Sequence, residues 1–134
     1  MIGFKGDERF ADVEFVGMGY EPVRRVLTLL VSSDPADNCE TVLLSDVAAF
    51  DVIHFTRQNV VHYLDVGRLA ASEHQAFVDL ARKEGASITL AADPDGDTLL
   101  GAVFVPANGA TIFALCRSIE KHSKDGQSVY SVTA

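Results

Sequence analysis

The stretch from Ser72 to Gly85, Ser-Glu-His-Gln-Ala-Phe-Val-Asp-Leu-Ala-Arg-Lys-Glu-Gly, constrains the fold most, because its start, stop and buried face can all be named. Ser72 can cap the first free backbone N–H groups, and Gln75 stands three residues on, where a capping box places it. Phe77, Leu80 and Ala81 fall at i, i+3 and i+4 and form one apolar stripe, with Ile88 just beyond the end. Arg82 and Lys83 suit the negative end of the helix dipole, and Gly85 can take the left-handed backbone that closes a helix. The stripe is narrow and flanked by the small Ala76 and Ala81, which suits close packing on a sheet.

The rest of the chain supplies candidate strands and two further candidate helices. Phe10 to Val16 alternates as a strand, and Gly17-Met18-Gly19 is expected to break it. From Pro22 to Ser32 the residues Val23, Val26, Leu27, Leu30 and Val31 recur at helical spacing, although their β-branched content also suits a strand. Asp34 to Asn38 is a loop by its turn residues, and Glu40 to Ser45 a short strand. Asp51–Thr56 and Val60–Val66 are expected to form a hairpin around Arg57-Gln58-Asn59, which sets His54 opposite His62. A second hairpin joins Ser87–Ala91 to Thr98–Val105 through Asp93-Pro94-Asp95-Gly96-Asp97. Ile112, Leu115, Cys116 and Ile119 then recur at helical spacing behind Asn108 as cap, before Ser128–Val132 ends as a strand or a frayed tail. The predicted fold is one α+β domain over residues 1–134, a mainly antiparallel sheet packed against two or three helices.

Composition restricts partners more than it identifies them. The chain has 134 residues and a net charge of −8, and residues 1–50 carry 4 Lys and Arg against 9 Asp and Glu. Such a field repels phosphate backbones, which argues against nucleic acid, and favours a basic protein. Cys39 and Cys116 are in no metal or redox spacing, and Cys116 is expected on a buried helix face. The first ten residues lack the apolar stretch of a secretory signal, and no apolar run spans a membrane, so a cytoplasmic setting is expected.

Three constellations bear on chemistry. Asp93, Asp95 and Asp97 match the first, third and fifth positions of a calcium loop, but Thr98 and Phe104 stand at the sixth and twelfth, so solvated acids on a turn explain them. Gly17 and Gly19, followed by Asp46 after the next strand, outline a nucleotide-binding unit, with Pro22 where the third glycine belongs. His54 and His62 could share a metal if a third ligand joined them, whereas His74 and His122 look like surface helix residues. No nucleophile elbow, phosphate loop or zinc-protease helix is present, so no catalytic residue is assigned and no cofactor is expected.

Helix, three strands, helix, two strands, helix is the order read from Pro22 onward. With the helix Ser72–Glu84 leading through Gly85-Ala86-Ser87-Ile88-Thr89-Leu90 and an acidic turn to Leu99-Leu100, it resembles the small acidic chaperones of type III secretion systems. The resemblance covers about three quarters of the chain and rests on element order. It implies a homodimer that keeps an effector segment unfolded along its surface. The expected function is therefore non-catalytic binding of another protein, as a secretion-type chaperone or as an inhibitor or immunity-type antagonist of a basic site. Asp34, Asp37 and Glu40, with Asp93, Asp95 and Asp97, are the expected contact residues. The alternative is a small enzyme or ligand-binding domain that uses Gly17, Gly19 and Asp46, or the histidine pair.

Overall fold

The computed structural model describes residues 5–7, 10–32, 39–90 and 98–134. Its elements are β1 (Lys5–Asp7), β2 (Glu14–Glu21), β3 (Val26–Ser32), β4 (Cys39–Ser45), β5 (Ala49–Ile53), β6 (Val60–Leu69), α1 (Ala71–Lys83), β7 (Leu99–Asn108), β8 (Thr111–Cys116), β9 (Ser118–His122) and β10 (Ser128–Thr133). The hydrogen-bonded order is β10-β9-β4-β3-β2-β6-β7-β8-β5, with β1 beside β6, and every pairing is antiparallel.

Two bends fold this path back on itself. Residues 46–48 separate β4 from β5, and Arg117 alone separates β8 from β9. Because β4 pairs with β9 while β5 pairs with β8, the two halves make one bent ribbon that links β3 to β7. On the opposite side β2 meets β6 through a single rung, Glu14 with Val60. Backbone bonds from Phe15 N–H to Asn59 O (2.9 Å) and from Val61 N–H to Val13 O (2.8 Å) extend that contact. The sheet is therefore a ring with a seam. Beyond Glu14, residues 17–21 pair with β3 on one side and with no described strand on the other.

A closed sheet buries its inner face. Leu27, Leu29, Val42, Leu44, Leu64, Leu100, Ala102, Ile112, Ala114 and Cys116 fill the interior. Phe10 and Phe15 each meet Phe104 edge-to-face at 5.7 Å, and Phe10 meets Tyr130 at 5.0 Å. A second cluster lies on the outer face of β5, β7 and β8, where α1 brings Phe77, Val78 and Ala81 against Leu99, Phe113 and Leu115. Alternate residues of β8 thus serve two cores. A Cβ on Gly101 of β7 would lie 2.5 Å from Leu69 Cδ1 and 3.1 Å from Phe77 Cδ2, so the bare strand lets the helix approach.

Helix α1 forms where expected, and Gly85 has the positive φ that closes it, 103°. Its cap is shifted: Ala70 precedes the first turn, and the Glu73 carboxylate accepts from the Ala70 N–H at 2.9 Å. The buried face is His74, Phe77, Val78 and Ala81, while Leu80 is 43% exposed. His74 is no surface residue; its Nε2–H donates to the Leu69 carbonyl at 3.2 Å.

Several expectations are corrected. Instead of a sheet packed on two or three helices, the described residues are mostly strand with one helix. The segments expected as helices after Pro22 and Asn108 are β3 and β8–β9. In β3 the buried set is Leu27, Leu29 and Val31, a period of two, and the accessible Val26 and Leu30 supplied the helical matches. In β8 every residue from Ile112 to Cys116 is buried, so no alternation survives in the sequence. Gly17 and Gly19 lie inside β2 rather than ending a strand, and the irregularity falls between Phe15 and Gly17 as a bulge. Neither expected hairpin exists: β5 pairs with β8, β7 pairs with β6 and β8, and residues 86–90 are not strand. β4 stands where a strand is expected, and of the strand and the frayed tail expected at the end, the strand forms, as β10.

Candidate functional site

The residues singled out in the sequence do not converge. His54 is exposed with φ 59°, and His62 is exposed with its ring edge on Tyr63 at 4.9 Å. They follow β5 and lie on β6, strands held apart by β7 and β8. Asn59 explains why no hairpin joins them. Its buried side-chain oxygen accepts from Thr56 N–H (2.9 Å) and Ala110 N–H (3.0 Å), and its amide donates to Thr56 O (2.8 Å). The loop is thereby tied to the β7–β8 turn, where Gly109 has φ 82° and a Cβ would sit 2.5 Å from Asn59 Oδ1. Among the described residues no group of three or more His, Cys, Asp or Glu could hold a metal.

The nucleotide reading of Gly17, Gly19 and Asp46 also loses its geometry. A turn and β3 follow the glycines, so no helix N-terminus faces a phosphate. Asp46 sits at the β4–β5 bend with φ 50°, 3.7 Å from Arg117 Nε. Of the six acidic contact residues, Asp34, Asp37, Asp93, Asp95 and Asp97 lie outside the described residues. Glu40 points toward the interior end, with Oε1 3.7 Å from Lys121 Nζ, and that buried ammonium lies 5.4 Å from the Phe10 ring centroid. Cys116 is buried on a strand, and burial pushes its thiol up to about 12, which removes it as a nucleophile at neutral pH. His122 lies on β9, its Nε2 3.0 Å from Glu120 Oε2 and its Nδ1 3.3 Å from Gly126 O. The Glu120 hydrogen bond, then the Gly126 carbonyl, hold its pKa above the ordinary histidine value.

What the structure does assemble surrounds the seam. The β2–β3 turn, the β4–β5 bend and residues 86–90 enclose an open groove of about 390 Å³. Tyr20 and Phe50 form its aromatic wall, ring centroids 4.8 Å apart and tilted by 48°. Val47, Ala48 and Ala49 form its floor, Arg25 one rim, and Ser87 and Thr89 the other. Each part is fixed locally. The Glu21 carboxylate accepts from the Val23 (3.2 Å) and Arg24 N–H groups, shaping the turn. Arg25 has φ 55°, and its carbonyl accepts from Val47 N–H at 2.9 Å. Asp51 accepts from Ser87 N–H at 2.7 Å and Val52 N–H at 2.9 Å, and Arg82 Nε donates to Ile88 O at 3.0 Å. The neighbouring acids are thus engaged, whereas Arg24 and Arg25 form no ion pair among the described residues.

The seam also carries unusual apolar exposure. Five of the eight large apolar side chains exposed on the described surface, Val16, Met18, Tyr20, Val23 and Leu30, belong to the β2–β3 hairpin, which marks it as the least self-sufficient surface of the ring. The site is hidden in the sequence because the helical spacing after Pro22 competes with the strand that β3 forms. The visible signal was Arg24-Arg25, adjacent cations behind Glu21-Pro22 in the acidic half of the chain. No protein-family model, curated protein or solved structure matches this chain.

Proposed function

We propose that this chain is a non-catalytic protein-binding domain that receives an extended segment of its partner along the open edge of β2. The observation that carries this reading is the seam: β2 leaves β6 after one rung, and the freed edge is lined by Val16, Met18 and Tyr20. An unpaired edge offers a row of backbone donors and acceptors to an added strand. Natural edges are blunted by charge or proline, yet Phe15 to Tyr20 contains neither. Tyr and Met, with Arg24 on the adjoining turn, are residue types enriched where proteins meet. A secretion-type chaperone holding an extended client would use such an edge, as would an inhibitor that inserts it into a target. The net charge of −8 supports a partner of opposite sign, steered from a distance by that field.

The test is co-purification from the native source with wild-type, Met18→Lys and Val129→Lys baits. Val129 is 49% exposed on β10, away from the edge, and serves as the control. A partner retained by wild type and by Val129→Lys, but lost from Met18→Lys, supports the reading. Equal retention by all three removes it. Sedimentation velocity on the purified chain separates a second copy from a foreign protein as the occupant.

A further inference from the structure

We propose that the groove between the β2–β3 turn and the 86–90 segment is a binding site for a small organic anion, a flat apolar ring that carries a carboxylate. This stands apart from the protein-binding reading, because it rests on the groove's own walls and would survive if the β2 edge had no partner. A volume of about 390 Å³ is the size of a site for a small molecule. The tilted pair Tyr20–Phe50 lines the groove as an aromatic wall against which a flat ring can pack, since aromatic rings attract one another in offset or tilted arrangements. The floor, Val47 to Ala49, offers no charge.

The polar chemistry is one-sided. Arg25 brings a planar fork of N–H donors that fits a carboxylate through two parallel bonds, and Arg24 stands beside it on the turn. Across the groove the side chains of Ser87 and Thr89, both exposed, add hydroxyl donors. The neighbouring acids make bonds of their own, Glu21 with the turn's backbone N–H groups, Asp51 with Ser87 and Val52, and Asp46 with Arg117, and among the described residues none forms an ion pair with Arg24 or Arg25. Two non-glycine residues with left-handed backbone, Arg25 and Asp46, flank the floor, and the bond from Val47 N–H to Arg25 O pins the first. Such conformations persist only where the surroundings over-determine them, and they fix the Arg25 backbone at the rim of the groove.

The experiment titrates 2-naphthoate, its neutral counterpart 2-naphthamide, and inorganic phosphate into isotope-labelled protein, following backbone amide signals. The expected result is saturable naphthoate shifts concentrated at Phe50, Ser87 and Thr89. Arg25→Asn keeps a residue tolerant of positive φ and should weaken naphthoate about tenfold, with naphthamide affinity unchanged. Arg25→Lys retains the charge without the fork and should fall between the two, which keeps the test open if the first variant folds poorly. Phe50→Leu should weaken naphthoate and naphthamide alike. No saturable shift below about 10 mM, shifts spread away from the groove, phosphate binding as tightly as naphthoate, or full affinity in both arginine variants would each overturn the assignment.

Discussion

Strands β8 and β2 belong to the same ring, yet one is buried on both faces and the other is bare along an edge. Residues 112–116 of β8 divide between the interior and the helix-covered cluster, whereas Val16, Met18 and Tyr20 of β2 remain exposed. Closing a sheet covers its inner face everywhere, but each part of the outer face needs its own cover. The 13-residue α1 covers the sector of β5, β7 and β8 and the Leu69 end of β6. Where the helix is absent and the ring runs short of rungs, apolar side chains stay at the surface. That contrast is the reason the β2 edge is the surface proposed for a partner.

Mutations at the two regions should separate accordingly. Phe104→Ala in the interior and Phe77→Ala under the helix should each lower stability by about 3–5 kcal/mol in denaturant titrations, because both rings are fully buried. A loss below about 1 kcal/mol for Phe77→Ala would mean that the outer cluster is no core at all. At the seam, Asn59→Ala should cost about 1–3 kcal/mol, since it orphans the Thr56 and Ala110 N–H groups. A neutral result would show that the loop is held by other contacts. Met18→Lys on the open edge should change stability by less than about 0.5 kcal/mol while abolishing partner capture; a large loss would make that edge structural.

The smallest effect concerns His122. Its pKa is raised in the folded chain, first by the Glu120 hydrogen bond. A raised histidine pKa adds stability that is fully present below the unfolded value and is lost as pH rises through the folded one. The ring is partly exposed, so solvent screens the gain and the measurable sign is the titration itself. Glu120→Gln should lower the His122 midpoint toward the ordinary histidine value in a proton NMR titration; an unmoved midpoint would exclude the carboxylate as cause.

Legibility in the sequence followed the same divide. Helix α1 was readable because its apolar Phe77 and Ala81, last-turn cations and Gly85 agree, although the cap moved from Ser72 to Ala70 and Leu80 and His74 changed places between surface and core. The stretch Ile112 to Ile119 was not, because a strand buried on both faces carries apolar residues at every spacing, the helical one included. The hairpin expected around Arg57-Gln58-Asn59 failed through Asn59, whose contacts with Ala110 span 51 positions and leave no local trace. The groove shares that difficulty. Tyr20, Phe50 and Ser87 come from three distant segments, and only Arg24-Arg25 stood out in the chain.

Cys116 turns the ring into its own clock. The side chain is fully buried on the inner face beside the bend at Arg117, and its thiol is protonated at neutral pH. A thiol reagent can reach it only during an opening of the β8–β9 ribbon. In a Cys39→Ser background, the rate of Cys116 labelling therefore counts how often the sheet parts on that side. A ligand in the groove, which borders the same ribbon through Val47 and Ala48, should slow that rate in proportion to its occupancy.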